Sequence, residues 1–191
     1  MTSGPPATPP AGAVGPVVLV GMMATGKTTV GRQVAEQLGR RLLDSDAMIE
    51  ERTGRTVAQL WHDGGETGYR SLETGALDDA LSARPPGVVA AAGGVVLAPA
   101  NRERLQRASE DGAVVIWLRA EPDVLAARVR PGDHRPLLAG DPVGTLRRLA
   151  AERETLYAEV ADRVLDIDRR PASDIAAAVL AEVAAVAAER S

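Results

Sequence analysis

The stretch Val17-Val18-Leu19-Val20-Gly21-Met22-Met23-Ala24-Thr25-Gly26-Lys27-Thr28-Thr29-Val30-Gly31 decides the fold. Its first four residues are an apolar run bounded by glycine, which reads as a buried strand; Val30, Val34 and Leu38 then recur at helical spacing, with Gly39 as the stop. Between strand and helix, residues 21–28 fit G-x-x-x-x-G-K-[ST], the phosphate-binding loop of nucleotide-hydrolysing and nucleotide-transferring proteins. The spacing has a mechanism. Glycines let successive backbone N–H groups curl around phosphate oxygens at the positive end of the following helix. Lys27 is placed to reach the β and γ phosphates, and the Thr28 hydroxyl to bind Mg²⁺. Nucleotide contacts are expected from Ala24, Thr25, Gly26, Lys27, Thr28 and Thr29.

Working outward, a strand over 41–44 delivers Asp44 and Asp46 at its end, and short helices are expected over 47–52 and 57–61. The glycine-rich stretch 62–68 reads as a loop and 69–81 as a helix. Further strands are expected at 87–92, ending in Gly93-Gly94, at 113–118 and at 164–167. Helices fall at 101–107, 121–129, 146–160 and 173–189, the last capped by Ser173 and Asp174. Short apolar strands alternating with helices imply a parallel sheet covered on both faces, where ligands sit beyond the carboxyl ends of the strands. Asp44, Asp46, Gly93 and the phosphate loop all fall at such ends.

Composition bounds the rest. The chain has 191 residues, enough for one α/β domain and too few for two ordinary ones. Residues 1–15 are Pro/Ala/Gly-rich and aperiodic, a flexible tail before a single domain over 16–191. A net charge of −4 argues against nucleic acid or a membrane surface as partner. The absence of cysteine excludes thiolate chemistry and disulfides, and no apolar run reaches the length of a membrane span. A cytoplasmic location and a monomer are expected.

Residues 21–28, Leu43-Asp44-Ser45-Asp46, Gly65-Glu66-x-x-Tyr69-Arg70-x-x-Glu73, Gly93-Gly94, Arg135-Pro136-Leu137-Leu138 and Arg153-x-x-x-Tyr157 resemble, in order and approximate spacing, the shikimate kinases. The resemblance covers nearly everything after the tail. It implies a three-layer α/β/α P-loop kinase fold, like that of the nucleoside monophosphate kinases, with a central five-stranded parallel sheet and a mobile lid over about 129–141. It implies transfer of the γ-phosphate of ATP to the 3-hydroxyl of shikimate, with Mg²⁺ held by Thr28 and Asp44. Lys27, Asp46 and Arg135 carry catalysis by the same resemblance, Asp46 orienting or deprotonating the acceptor hydroxyl and Arg135 reaching the phosphates from the lid. Arg70 and Arg153 match the arginines that bind the acid's carboxylate, and Glu73 the glutamate that holds this region in place. Gly93 and Gly94 let the backbone approach the acceptor, Trp61 and Tyr69 lie against its ring, and Arg170 lies near adenine.

Competing readings exist for several of these residues. Asp44 and Asp46 also suit helix capping, Arg70 and Glu73 an ordinary surface ion pair, and Trp61 core packing. The chain departs from the family at Ala92, where a third glycine is usual, and at Ala24 in the phosphate loop. Both departures bear on which acceptor is taken. Gluconate or a cyclitol acid is the alternative acceptor, and a nucleotide-binding module without transfer is the alternative class.

Overall fold

The computed structural model describes residues 15–129 and 141–190. Five parallel strands form one sheet: β1 (Val17–Val20), β2 (Leu42–Asp44), β3 (Val88–Ala90), β4 (Val114–Arg119) and β5 (Arg163–Asp166), in spatial order β2-β3-β1-β4-β5. β1 and β3 are apolar throughout, and β4 up to its exposed last residue, Arg119, because both of their faces are covered. Along β1, Val17 and Leu19 pack toward α1 (Lys27–Leu38) and α7 (Ala172–Glu189). Val18 and Val20 pack toward α3 (Val57–Ser82), α4 (Pro99–Glu110), α5 (Pro122–Arg128) and α6 (Pro142–Val160). On β4 the same alternation sends Val114, Ile116 and Leu118 to the first face and Val115 and Trp117 to the second. Each such fully buried side chain contributes about 1.5–3 kcal/mol. α2 (Ser45–Thr53) and α3, on both sides of its break, form a smaller apolar cluster beside edge strand β2, with Ile49, Leu60, Tyr69 and Ala76 at its centre. A 3₁₀ turn, Val95–Leu97, links β3 to α4.

The loops that leave the carboxyl ends of β1, β2 and β3 open toward one cleft, as the strand alternation implied. Three local expectations are corrected. The stretch 62–68 is not a loop: α3 runs through it, and only Gly65 leaves helical geometry, at φ 61 and ψ −171. A capping box between Thr56 and Gln59 starts the helix, an Arg55–Asp63 ion pair supports its first half, and Glu66–Arg70 supports its second. Gly65 therefore makes a kink instead of a connection. α7 is not capped by Ser173 and Asp174 either; Pro171 is the N-cap, no side chain caps the helix, and both residues lie in its first turn. Asp174 still places a negative charge at the positive helix end. Finally, the end of β2 delivers Asp44 alone, and Asp46 lies in the first turn of α2.

Of the 1–15 tail, only Gly15 is described, and it is tied in by its N–H to Gly112 and by its carbonyl to Arg40. Among the described residues no helix is long and apolar enough to cross a membrane.

Candidate active site

A cleft of about 930 Å³ lies over the carboxyl ends of β1, β2 and β3. It is lined on one side by Ala24, Gly26, Lys27, Thr28 and Thr29, and on the other by Asp46, Trp61, Tyr69, Arg70, Glu73, Gly93, Gly94 and Arg153. Nearly all the residues singled out in the sequence therefore meet. Thr25 lies in the loop but does not line the cleft; it is 1% exposed and its hydroxyl donates to the Met22 carbonyl. Lys27 Nζ lies against the same loop, donating to the carbonyls of Gly21 and Met22 at 2.8 Å each. Arg135 and the lid fall outside the described residues. Arg170 does not line the cleft: it donates to the carbonyls of Asp166 and Asp174 just beyond β5.

The two departures separate on inspection. Ala24 takes φ 65, a left-handed conformation rare for a residue with a Cβ, which accounts for the usual glycine there. Ala92 does not need positive φ. It is 7% exposed, and its N–H donates to Ser45 Oγ at 2.8 Å. The methyl at Ala92 is accommodated in the backbone without strain.

Asp44 does two things at once. Its Oδ1 accepts from the N–H groups of Asp46 and Ala47, capping α2, while its Oδ2 accepts from Thr28 Oγ1 at 2.6 Å. The capping and metal-shell readings are thus compatible. A hydroxyl and a carboxylate oxygen side by side next to the phosphate loop are hard ligands that suit Mg²⁺, which takes few protein ligands and completes its shell with phosphates and water. Among the described residues no cluster of three or more His, Cys, Asp or Glu side chains forms a self-sufficient metal cage.

Asp46 faces the cleft from α2, and burial pushes its carboxyl above the usual carboxylate range, with the nearby Asp44 charge acting in the same direction. Tyr69 donates its hydroxyl to Asp46 Oδ1 at 2.5 Å. Tyr69 is 3% exposed, so it offers the cleft little open ring face; its polar end serves Asp46. Trp61, half-buried, stands 5.5 Å from the Tyr69 ring and 5.5 Å from the Arg70 guanidinium, joining the small apolar cluster to the cleft wall. Trp61 thus packs in the small cluster and also lines the cleft.

Arg70 and Glu73 do pair, though not on the surface. Arg70 Nη1 donates to both Glu73 oxygens at 3.0 and 3.1 Å, Nη2 donates to Glu66 Oε1 at 2.9 Å, and Glu73 is 1% exposed. Burial pushes the Glu73 carboxyl up to about 6 even against the pull of Arg70. Gly94 supports this arrangement by having no side chain: a Cβ there would sit inside the Arg70 guanidinium, with even Nη2 only 2.6 Å away. Arg153, 3% exposed, donates from Nη1 to the Gly93 carbonyl at 3.1 Å, and its buried Nε has no hydrogen-bond partner among the described residues. The hydroxyl of Tyr157, four residues on along α6, donates to the same carbonyl at 2.5 Å. The ring of Tyr157 stacks on Trp117 of β4. Gly93 thus anchors its loop to α6 through its carbonyl, and a Cβ on it would crowd Met23 N at 3.2 Å in the phosphate loop.

Over residues 23–184 the chain matches the family model described as shikimate kinase. The chain belongs to the shikimate kinase family. It is 46% identical over 167 residues to the shikimate kinase of Symbiobacterium thermophilum, covering 86% of this chain and 93% of that one. With the shikimate kinase of Acinetobacter baylyi it shares 42% over 165 residues, covering 86% and 89%. Among solved structures, shikimate kinase from Acinetobacter baumannii in complex with shikimate superposes with a TM-score of 0.84 at 36% identity, over 90% of this chain and 94% of that one. The P-loop kinase fold expected from the family is the one observed.

Several cleft residues were not anticipated from the sequence, Arg32 and Arg128 among them. Arg32 lines the cleft from α1, and Arg128 lines it from the end of α5, where Nη2 donates to the Ile167 carbonyl at 3.2 Å. The spacing of Arg32, four residues after Thr28 on one helix face, was the available signal. Arg128 had none, since its approach to the cleft depends on how α5 packs.

Proposed function

We propose that the cleft transfers the γ-phosphoryl group of ATP to the 3-hydroxyl of shikimate, releasing ADP and 3-phosphoshikimate on the route to chorismate and the aromatic amino acids. One observation carries this: the cleft that holds the phosphate loop also holds Arg153, a guanidinium 3% exposed whose buried Nε lacks a partner among the described residues, together with Arg70 and Asp46. A protein that only bound nucleotide has no use for buried cations and a carboxylate on the far side of its phosphate site. Two planar guanidinium groups suit a small carboxylate acid because each can donate parallel hydrogen bonds to it. Family membership, and the shikimate bound to the Acinetobacter baumannii relative, support the choice of acid.

Phosphoryl transfer demands positioning and positive charge more than covalent help. Lys27 and the loop N–H groups hold the donor phosphates, Arg70 and Arg153 hold the acceptor's carboxylate, and Trp61 borders its ring. Asp46 accepts the proton of the acceptor hydroxyl, and its burial makes it a stronger base than an exposed carboxylate. Thr28 and Asp44 would hold Mg²⁺, which when bound offsets negative charge on the phosphates. Arg135, from the lid, and Arg170, beside the adenine, are assigned by family position. The enzyme acts as a monomer in this reading.

A coupled ADP-release assay with shikimate, gluconate and quinate in parallel tests it. Shikimate-dependent ADP release is expected, and no stimulation by any of the three would end the reading. Asp46→Asn is expected to lower turnover by roughly 10²–10⁴ while sparing ATP affinity. Unchanged turnover in that variant would remove Asp46 from the mechanism.

A further inference from the structure

One oxygen of Asp46 is already committed. Oδ1 takes the Tyr69 hydroxyl, whereas Oδ2 takes no hydrogen bond among the described residues. Tyr69 itself has little freedom. Its ring is 3% exposed, stands 5.5 Å from Trp61, and packs in the cluster with Ile49, Leu60 and Ala76. It lies four residues past the Gly65 kink and directly before Arg70, whose guanidinium is fixed by Glu66 and Glu73. A single turn of α3 therefore reaches Asp46 with one residue and the acceptor's carboxylate side with the next.

We propose that Tyr69 is a positioning residue for phosphoryl transfer: its hydroxyl pins Asp46 Oδ1 and so presents Oδ2 to the acceptor hydroxyl. The proposal rests on Asp46 as the proton acceptor. In that step Oδ2 takes the proton of the acceptor hydroxyl, and the hydroxyl oxygen's electron pair forms the bond to the γ phosphorus. The bond from that phosphorus to the β–γ bridging oxygen breaks, and its pair leaves on ADP. A carboxylate is broad and roughly two-fold about its last torsion, so without an anchor on Oδ1 it samples orientations that do not face the acceptor. The anchor comes from α3 and the base from α2, so the kink that aims α3 also sets the base. Productive geometry for such a proton transfer requires hydrogen-bond reach between the two oxygens, and small misplacements cost large factors in rate.

The test is Tyr69→Phe, which keeps the ring and its packing and removes only the hydroxyl, measured alone and in the Asp46→Asn background. With Tyr69→Phe alone, kcat with shikimate is expected to fall about tenfold, the scale of one charge-assisted hydrogen bond. KM for ATP and the melting temperature are expected to stay at their starting values. In the Asp46→Asn background the same substitution is expected to have no further effect on kcat, because the group it positions is gone. Three results would overturn the proposal: unchanged kcat in Tyr69→Phe, a loss confined to KM, or an equal fall in kcat in both backgrounds. If Asp46→Asn alone leaves turnover intact, the base assignment itself falls. If Asp46→Asn is impaired while Tyr69→Phe is not, only the role of Tyr69 fails.

Discussion

Gly94→Ala isolates what the buried Arg70–Glu73 pair does. The backbone at Gly94 has φ −97 and ψ −1, which alanine adopts without strain, so the glycine is there for space and not for conformation. A Cβ at that position would overlap the guanidinium, with its far Nη2 at 2.6 Å. Carbon and nitrogen not bonded to each other settle near 3.5 Å, so the Arg70 head group must retreat by more than about 1 Å. The bonds from Nη1 to Glu73, at 3.0 and 3.1 Å, would then open past hydrogen-bonding range. Hydrogen bonds to charged groups are worth about 1.5–3 kcal/mol each, and losing the partner of a buried charge is worse. Glu73, already pushed up to about 6, can take a proton and limit the damage, so a stability loss of about 2–3 kcal/mol is expected. A displaced Arg70 should raise KM for shikimate by roughly 30- to 100-fold. KM for ATP should stay put, because the phosphate loop is untouched. Steady-state kinetics by coupled ADP release, with both substrates varied, and a thermal melt read these quantities. A KM for shikimate within about threefold of the parent would refute the reasoning, since Arg70 would then tolerate displacement or play no part in binding the acid.

Two other outcomes follow from particular residues. Ala24→Gly should relieve a left-handed alanine worth about 1–2 kcal/mol, offset by about 0.4–1 kcal/mol of added chain entropy in the unfolded state; unfolding in urea should show stability unchanged or raised by up to about 1 kcal/mol, and a clear loss would mean that the loop exploits the methyl. Glu73 gives a pH signature. Its carboxyl is raised from an ordinary 4.5 to about 6, so the folded state holds the extra proton, and the stability this group lends is full below about 4.5 and lost as pH climbs through about 6. Glu73→Gln should lose about 2 kcal/mol less than the parent between pH 4.5 and pH 7 in urea titrations, and parallel pH profiles for the two proteins would contradict the assignment.

The legible part of the site was the part encoded locally. Lys27, Thr28, Asp44 and Asp46 lie at strand ends that the apolar runs mark, and parallel strands must present those ends on one side. Helix α1 begins and ends where its motif and Gly39 place it, since Gly39 adopts the left-handed stop. The stretch 62–68 misled because glycine composition signals a break without fixing its length. An ion pair from Arg55, just ahead of the helix, to Asp63 and the i,i+4 pair Glu66–Arg70 hold the helix on either side, and only Gly65 leaves helical geometry. Capping of α7 was misplaced by two or three residues, at a terminus whose orphan N–H groups have several possible partners.

The sequence by itself determined a phosphate-binding strand–loop–helix, a parallel sheet around it, and a second set of polar residues at the same end. It did so because side-chain periodicity and backbone conformational limits are local properties, readable over a few residues. Only the tertiary structure decided how those polar residues divide the work. Asp44 caps α2 and reaches Thr28 with its other oxygen, Tyr69 turns its hydroxyl onto Asp46, Gly94 leaves room for Arg70, and Gly93 receives Arg153 and Tyr157 on one carbonyl. Each of these depends on distances between elements far apart in the chain. Those distances are fixed by packing of the whole core, to which no single stretch of sequence has access.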